Sequence, residues 1–152
     1  MRLTMPVLAA LLAGGLHVTG VQAHAAEPAV YTGVVAGVGV GGYDPVAYFR
    51  RDAAIQGSAA LPLVHDGVTY RFESEENRRL FAADPERYLP RFGGYCAWAV
   101  AEGYTAHGDP EAWSVVEGRL YLNYSPRIRA RWERDTPGNI AAGEANWPKV
   151  LE

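Results

Sequence analysis

The 152-residue chain has a single cysteine, Cys96, so no disulfide can form within it. Stability has to come from a packed core, and four Trp, nine Tyr and four Phe supply apolar area for one. Positive charge is not in excess: 14 Lys and Arg stand against 17 Asp and Glu, a formal net charge of −3. Binding to phosphate backbones needs a basic face, so nucleic acid is not an expected partner. No apolar run reaches the roughly 20 residues of a spanning helix. Catalytic and metal fingerprints are missing as well. The chain has no G-x-S-x-G, no H-E-x-x-H, no C-x-x-C and no H-x-x-x-H. The glycine-rich "GVVAGVGVGG" at 33–42 lacks the strand–helix context of a dinucleotide fingerprint and reads as a flexible lead-in strand.

The first 25 residues have the layout of a secretory signal. Arg2 is followed by the apolar block VLAALLAGGL, and small residues at Ala23 and Ala25 suit cleavage after either. The expected organisation is a signal peptide over 1–25, an N-terminal lead-in over 26–40 and one domain over 41–150, exported to the periplasm or secreted. No membrane association is expected once the signal is cleaved.

What is present is a repeat. The stretches "VHDGVTYRFESEENRRLFAAD" (64–84) and "VVEGRLYLNYSPRIRARWERD" (115–135) align at an offset of 51 residues with six identities. Upstream, "GGYDPVAY" and "GGYCAWAV" align at an offset of 52, which sets Asp44 opposite Cys96. Each unit alternates around an acidic residue followed by Gly, the pattern of a β-hairpin. Each hairpin then runs into a helix, capped by Ser74 in the first unit and by Ser125, with Pro126 behind it, in the second. A last helix is expected from Thr136-Pro137 towards Trp147. The fold class is α+β: small antiparallel hairpins each followed by a helix, in a tandem pseudo-repeat. The Asp-Pro pairs at 44, 84 and 109 read as caps and turn starts, not as a carboxylate group. If the units fold alike, the two Gly-Gly-Tyr loops converge on a pocket lined by Tyr43, Tyr95 and Trp98.

The segments "GGYDPVAYF", "GVTYRFESEENRRLFAADPERYLPRFGGYCAWAV", "GDPEAW", "EGRLYLNYS" and "ANWP" resemble the YHS domain family, in particular its exported single-domain members. They cover nearly all of 41–148. The resemblance implies a relation to the treble-clef-like TRASH group, associated with heavy metals and copper above all. In the metal-associated version, cysteines follow Asp-Pro-Val and lie in and just after the Phe-x-Ser stretch. This chain has Ala47, Glu73 and Asn77 there, so that thiolate site does not carry over.

The candidate metal ligands are therefore Cys96 and His107, a thiolate and an imidazole suited to copper or zinc. His24 joins them only if cleavage follows Ala23, and His65 sits beside the Asp-Gly turn, where solvent exposure is expected. As filler, Cys96 would pack as a small hydrophobe among Tyr95, Ala97, Trp98 and Val100. The expected function is binding of copper, another heavy metal or a small ligand in the periplasm. The alternative is a non-catalytic module with a decayed metal site that binds a ligand or a protein partner through its aromatic surface. A thiol enzyme with Cys96 as nucleophile and His107 as base is a third reading; no catalytic residue is assigned.

Overall fold

A computed structural model describes residues 25–152. The signal expected over 1–25, and His24 with it, lies outside the described residues except for Ala25. The first half comprises α1 (Ala47–Arg50), β1 (Ser58–His65), β2 (Val68–Phe72), α2 (Glu75–Ala83) and α3 (Pro85–Tyr88). The second comprises α4 (Ala97–Ala101), β3 (Asp109–Val116), β4 (Arg119–Asn123), α5 (Pro126–Trp132) and α6 (Thr136–Asn146). Two antiparallel hairpins, each followed by a helix, make the protein α+β. Among the described residues no helix is long and apolar enough to cross a membrane.

The halves repeat one another in backbone detail. Val40, Gly41 and Gly42 have φ of 53°, 58° and 85°, and Phe92, Gly93 and Gly94 have 56°, 60° and 80°. A valine or phenylalanine with positive φ is strained. In both halves that strain turns the side chain into the core, where Val40 and Phe92 are buried. The following tyrosine N–H closes each turn, Tyr43 onto Val40 O and Tyr95 onto Phe92 O, both at 3.0 Å. At the hairpin tips Asp66-Gly67 (47°, 78°) and Glu117-Gly118 (50°, 73°) both have positive φ. That is the type I′ geometry whose twist matches the strands. Register agrees too: Pro62 faces Arg71 and His65 faces Val68, as Trp113 faces Leu122 and Val116 faces Arg119, with one irregularity before each run.

Ser74 accepts from Asn77 N–H at 3.1 Å and Ser125 from Ile128 N–H at 3.2 Å, each cap contributing about 1 kcal/mol. The last helix begins at Thr136 as the sequence suggests, but its cap is Asp135, whose Oδ1 accepts from Gly138 N–H at 3.1 Å. Of the Asp-Pro pairs, Asp84 precedes α3 without a side-chain cap bond. Asp109 opens a strand and accepts from Glu111 N–H at 2.9 Å. Asp44 turns inward.

Two apolar clusters form the core. One gathers Val46, Tyr48, Tyr70, Phe72 and Phe81; the other gathers Phe92, Tyr95, Val100, Tyr121 and Trp132. Strand β4 joins them, because alternation sends Leu120 and Leu122 into the first and Tyr121 into the second. Tyr48 ties the halves further, donating to Pro110 O at 2.9 Å and meeting Trp113 edge-on at 5.3 Å.

Two expectations change here. Residues 33–42 are pinned rather than forming a flexible strand. Val38 and Val40 are buried, Thr69 N–H donates to Gly37 O at 3.2 Å, and 39–42 form a tight turn. The stretch before them docks as well, with Tyr31 N–H on Gly93 O at 2.9 Å and Glu27 N–H on Leu151 O at 2.8 Å. The two Gly-Gly-Tyr turns do meet at one cavity of about 300 Å³, but Val40, Phe92 and Gly93 line it in place of the expected tyrosines: Tyr43 packs on the first cluster and Tyr95 lies in the second. Trp98 lines a separate cavity beside Cys96.

Candidate functional site

The turns place Asp44 and Cys96 in matching positions, each taking its backbone N–H into the loop ahead of the hairpin. Asp44 N–H donates to Ile55 O at 2.8 Å, and Cys96 N–H donates to Ala106 O at 2.9 Å. Asp44 is fully buried, and its carboxyl group accepts three bonds. Val46 N–H donates to Oδ1 at 2.8 Å; Glu73 N–H and Asn77 Nδ2 donate to Oδ2 at 2.9 and 2.8 Å. Cys96 is 1% exposed. Its sulfur accepts from Tyr124 N–H at 3.2 Å, the counterpart of the Glu73 bond, and from Ala99 N–H at 3.5 Å. The thiol lies 3.8 Å from Asn123 Oδ1, to which it donates.

Asn123 completes the substitution. It stands where the first half has Phe72, and its Oδ1 accepts from Trp98 N–H at 3.1 Å, the bond that Asp44 Oδ1 makes to Val46. One buried carboxyl group in the first half is thus replaced by a thiol and an amide in the second. The bulk is redistributed around it. Phe72 and Phe81 pack at 5.2 Å between ring centroids, whereas their counterparts are Asn123 and the larger Trp132. Asn123 Nδ2 and Trp132 Nε1 are buried without a partner among the described residues.

Positions 47, 73 and 77, where the YHS resemblance would put cysteines, meet around Asp44. Ala47 N–H lies 3.2 Å from Asp44 O, and Glu73 and Asn77 both bond its carboxyl group. Their counterparts in the second half are Ala99, Tyr124 and Ile128. All three, with Cys96, Trp98 and Tyr104, line a cavity of about 240 Å³. The cavity beside Cys96 is therefore the second-half equivalent of the place where the resemblance expects metal ligands.

Cys96 and His107, the ligands expected from the sequence, are neighbours that both contact Tyr124. His107 is exposed and pairs through its backbone with Tyr95. Its ring lies on Tyr124, 4.2 Å between centroids, and against Tyr31 at 6.2 Å. No hydrogen bond joins it to the Cys96 sulfur, and among the described residues no three His, Cys, Asp or Glu side chains are placed to hold a metal ion. Burial pushes the Cys96 thiol up from its ordinary range, against the lowering effect of the N–H groups of Ala99, Tyr124 and Trp98. The donor set offers a soft ion one sulfur, already engaged and held protonated. It is a poor fit to copper. His65 is half-buried rather than solvent-exposed, its ring edge-on to Phe81 and its Nε2 3.5 Å from Asp66 and 3.8 Å from Glu86.

Around the cavity lies a face the sequence reading missed. Tyr104 is 52% exposed and Tyr124 48%, and Arg131 lies 4.7 Å over the Trp98 ring. Across Tyr124 and Ile128 a second, open cavity of about 450 Å³ is lined by Arg127, Arg131 and Arg134. The signal was in "SPRIRARWER": Arg127 and Arg131, at i and i+4, share one face of α5, which buries Trp132 on another, and Arg134 follows in the tight turn Glu133–Asp135. No protein-family model, curated protein or solved structure matches the chain.

Proposed function

We propose that the protein is an exported, YHS-type binding module without catalytic activity, and that it engages its ligand through the aromatic face around Cys96. The carrying observation is the cavity of about 240 Å³ flanked by Trp98, Tyr104 and Tyr124, two of them about half exposed. Aromatic rings left in water around a concavity are typical of interfaces, where they bury large areas at small entropic cost. Cys96 supports this reading because its sulfur holds the α4 N-terminus and the strand end at Tyr124, the duty Asp44 performs in the first half. Metal handling, the role first expected from the sequence, becomes the competing outcome.

Titration of the purified protein with an anilinonaphthalene sulfonate dye and, separately, with Cu(I) and Zn(II) tests the proposal. Saturable dye binding that Tyr104→Ala and Tyr124→Ala weaken at least fivefold is expected for an aromatic docking face. Tight one-to-one Cu(I) binding that Cys96→Ala abolishes would replace this reading with the metal one.

A further inference from the structure

Chemistry is divided across the Tyr124–Ile128 wall. On one side the cavity beside Cys96 is apolar; on the other three arginines line the open groove, and no carboxylate lines either. Arg50, Arg51, Arg78, Arg91, Arg119 and Arg129 each have a carboxylate within 4.0 Å; Arg71, Arg79, Arg87, Arg127, Arg131 and Arg134 have none among the described residues, and the last three of these line the groove. These three unpaired cations are gathered on one face of a protein whose net charge is −3. An anionic partner is therefore drawn to this face and disfavoured by the molecule as a whole, which fixes where it docks.

Spacing narrows the class. Arg127 and Arg131 are one helical turn apart, about 6 Å between β-carbons. Carboxylates on alternate residues of an extended peptide repeat every ~6.8 Å, close to that β-carbon pitch and within the reach of two long arginine side chains. Arg131 is already held over Trp98 at 4.7 Å, which reduces the entropy lost on binding. The adjoining apolar cavity is the size of a single aliphatic or aromatic side chain. Building on the binding-module reading, we infer that this face takes an acidic, extended segment of a partner protein. Its alternating carboxylates lie on Arg127, Arg131 and Arg134, and one apolar side chain enters the cavity beside Cys96.

The test uses fluorescence anisotropy with a labelled ten-residue peptide of alternating glutamate and glycine carrying one terminal leucine, and its glutamine counterpart. The glutamate peptide is expected to bind at least tenfold tighter, and Arg127→Gln and Arg134→Gln each to weaken it about fivefold, as interfacial charge contacts do. Tyr124→Ala should weaken both peptides alike. Equal binding of the two peptides, still sensitive to Tyr124→Ala, would overturn the acidic class while leaving the aromatic face standing. No binding of either peptide would overturn this inference, and the dye titration would then decide the broader reading by itself. Complete displacement of the glutamate peptide by millimolar inorganic phosphate would also overturn it, in favour of a simple anion site.

Discussion

Asp44 and Cys96 occupy the same place in two halves that share turn, hairpin register and helix caps, yet their surroundings differ in a concerted way. In the first half one carboxyl group accepts three N–H bonds, with Phe72, Asn77 and Phe81 around it. In the second, a thiol and the Asn123 amide divide the accepting between them, with Ile128 and Trp132 in place of Asn77 and Phe81. The backbone demand is constant: the N-terminus of the short helix and the end of the second strand both need an acceptor between them. The first half meets that demand with one buried carboxyl group that accepts all three bonds. The second meets it with a weaker acceptor and leaves a cavity open to the aromatic face. The same frame therefore carries a charged concavity on one side, about 330 Å³ lined by Arg50, Arg51, Glu73, Glu76 and Asn77, and an aromatic one on the other.

The largest expected contrast is in stability. Asp44→Ala strands Val46 N–H, Glu73 N–H and Asn77 Nδ2 in the interior and should cost about 3–5 kcal/mol. Cys96→Ala removes a poor acceptor beside an existing cavity and should cost only about 1–2 kcal/mol. Equilibrium urea unfolding of both variants measures the gap. Equal losses would break the contrast between a strong and a weak hub.

A transplant sharpens the comparison at smaller amplitude. Cys96→Asp alone puts a carboxyl group beside Asn123 Oδ1 and should destabilise by about 2–4 kcal/mol. Adding Asn123→Phe, Ile128→Asn and Trp132→Phe rebuilds the first-half constellation and removes two unpartnered buried donors, Asn123 Nδ2 and Trp132 Nε1. Chemical denaturation should show the fourfold variant recovering at least ~1 kcal/mol over the single one, the coupling expected of residues in contact. A fourfold variant less stable than the single one would mean that the halves are not interchangeable at this site.

Much of this frame was legible because its determinants are local. An acidic residue and glycine between alternating apolar residues specify a type I′ hairpin without help from the rest of the chain. Ser74 and Ser125 cap for the same reason. The pairing of Asp44 with Cys96 followed from repeat arithmetic alone. What escaped depends on residues distant in sequence. Nothing local says that Asn123 completes the acceptor set of Cys96 27 positions away, or that Tyr124 contacts both Cys96 and His107. Val38 and Val40 looked like a loose, glycine-rich lead-in because their burial is supplied by tertiary neighbours, Thr69 among them. Cys96 and His107 were legible as residue types, whereas the burial of the sulfur and its three hydrogen bonds were not. Arg127, Arg131 and Arg134 were readable as a stripe, but their lack of carboxylate partners was not.

As the hub of the second half, the Cys96 sulfur has to be a buried, protonated acceptor rather than a thiolate ligand or nucleophile. A thiol whose folded-state pKa is raised stays protonated in the native protein after the unfolded chain has begun to lose its proton. Native stability is therefore unaffected below the ordinary thiol range and falls as pH rises through the window between the two values. The most direct measurement is a pH titration of thiolate absorbance near 240 nm, wild type minus Cys96→Ala, under native conditions. A midpoint above about 8.5, the ordinary thiol value, is expected. A midpoint at or below about 7, the range of activated thiols, would contradict it and return Cys96 to the candidates for metal or redox chemistry.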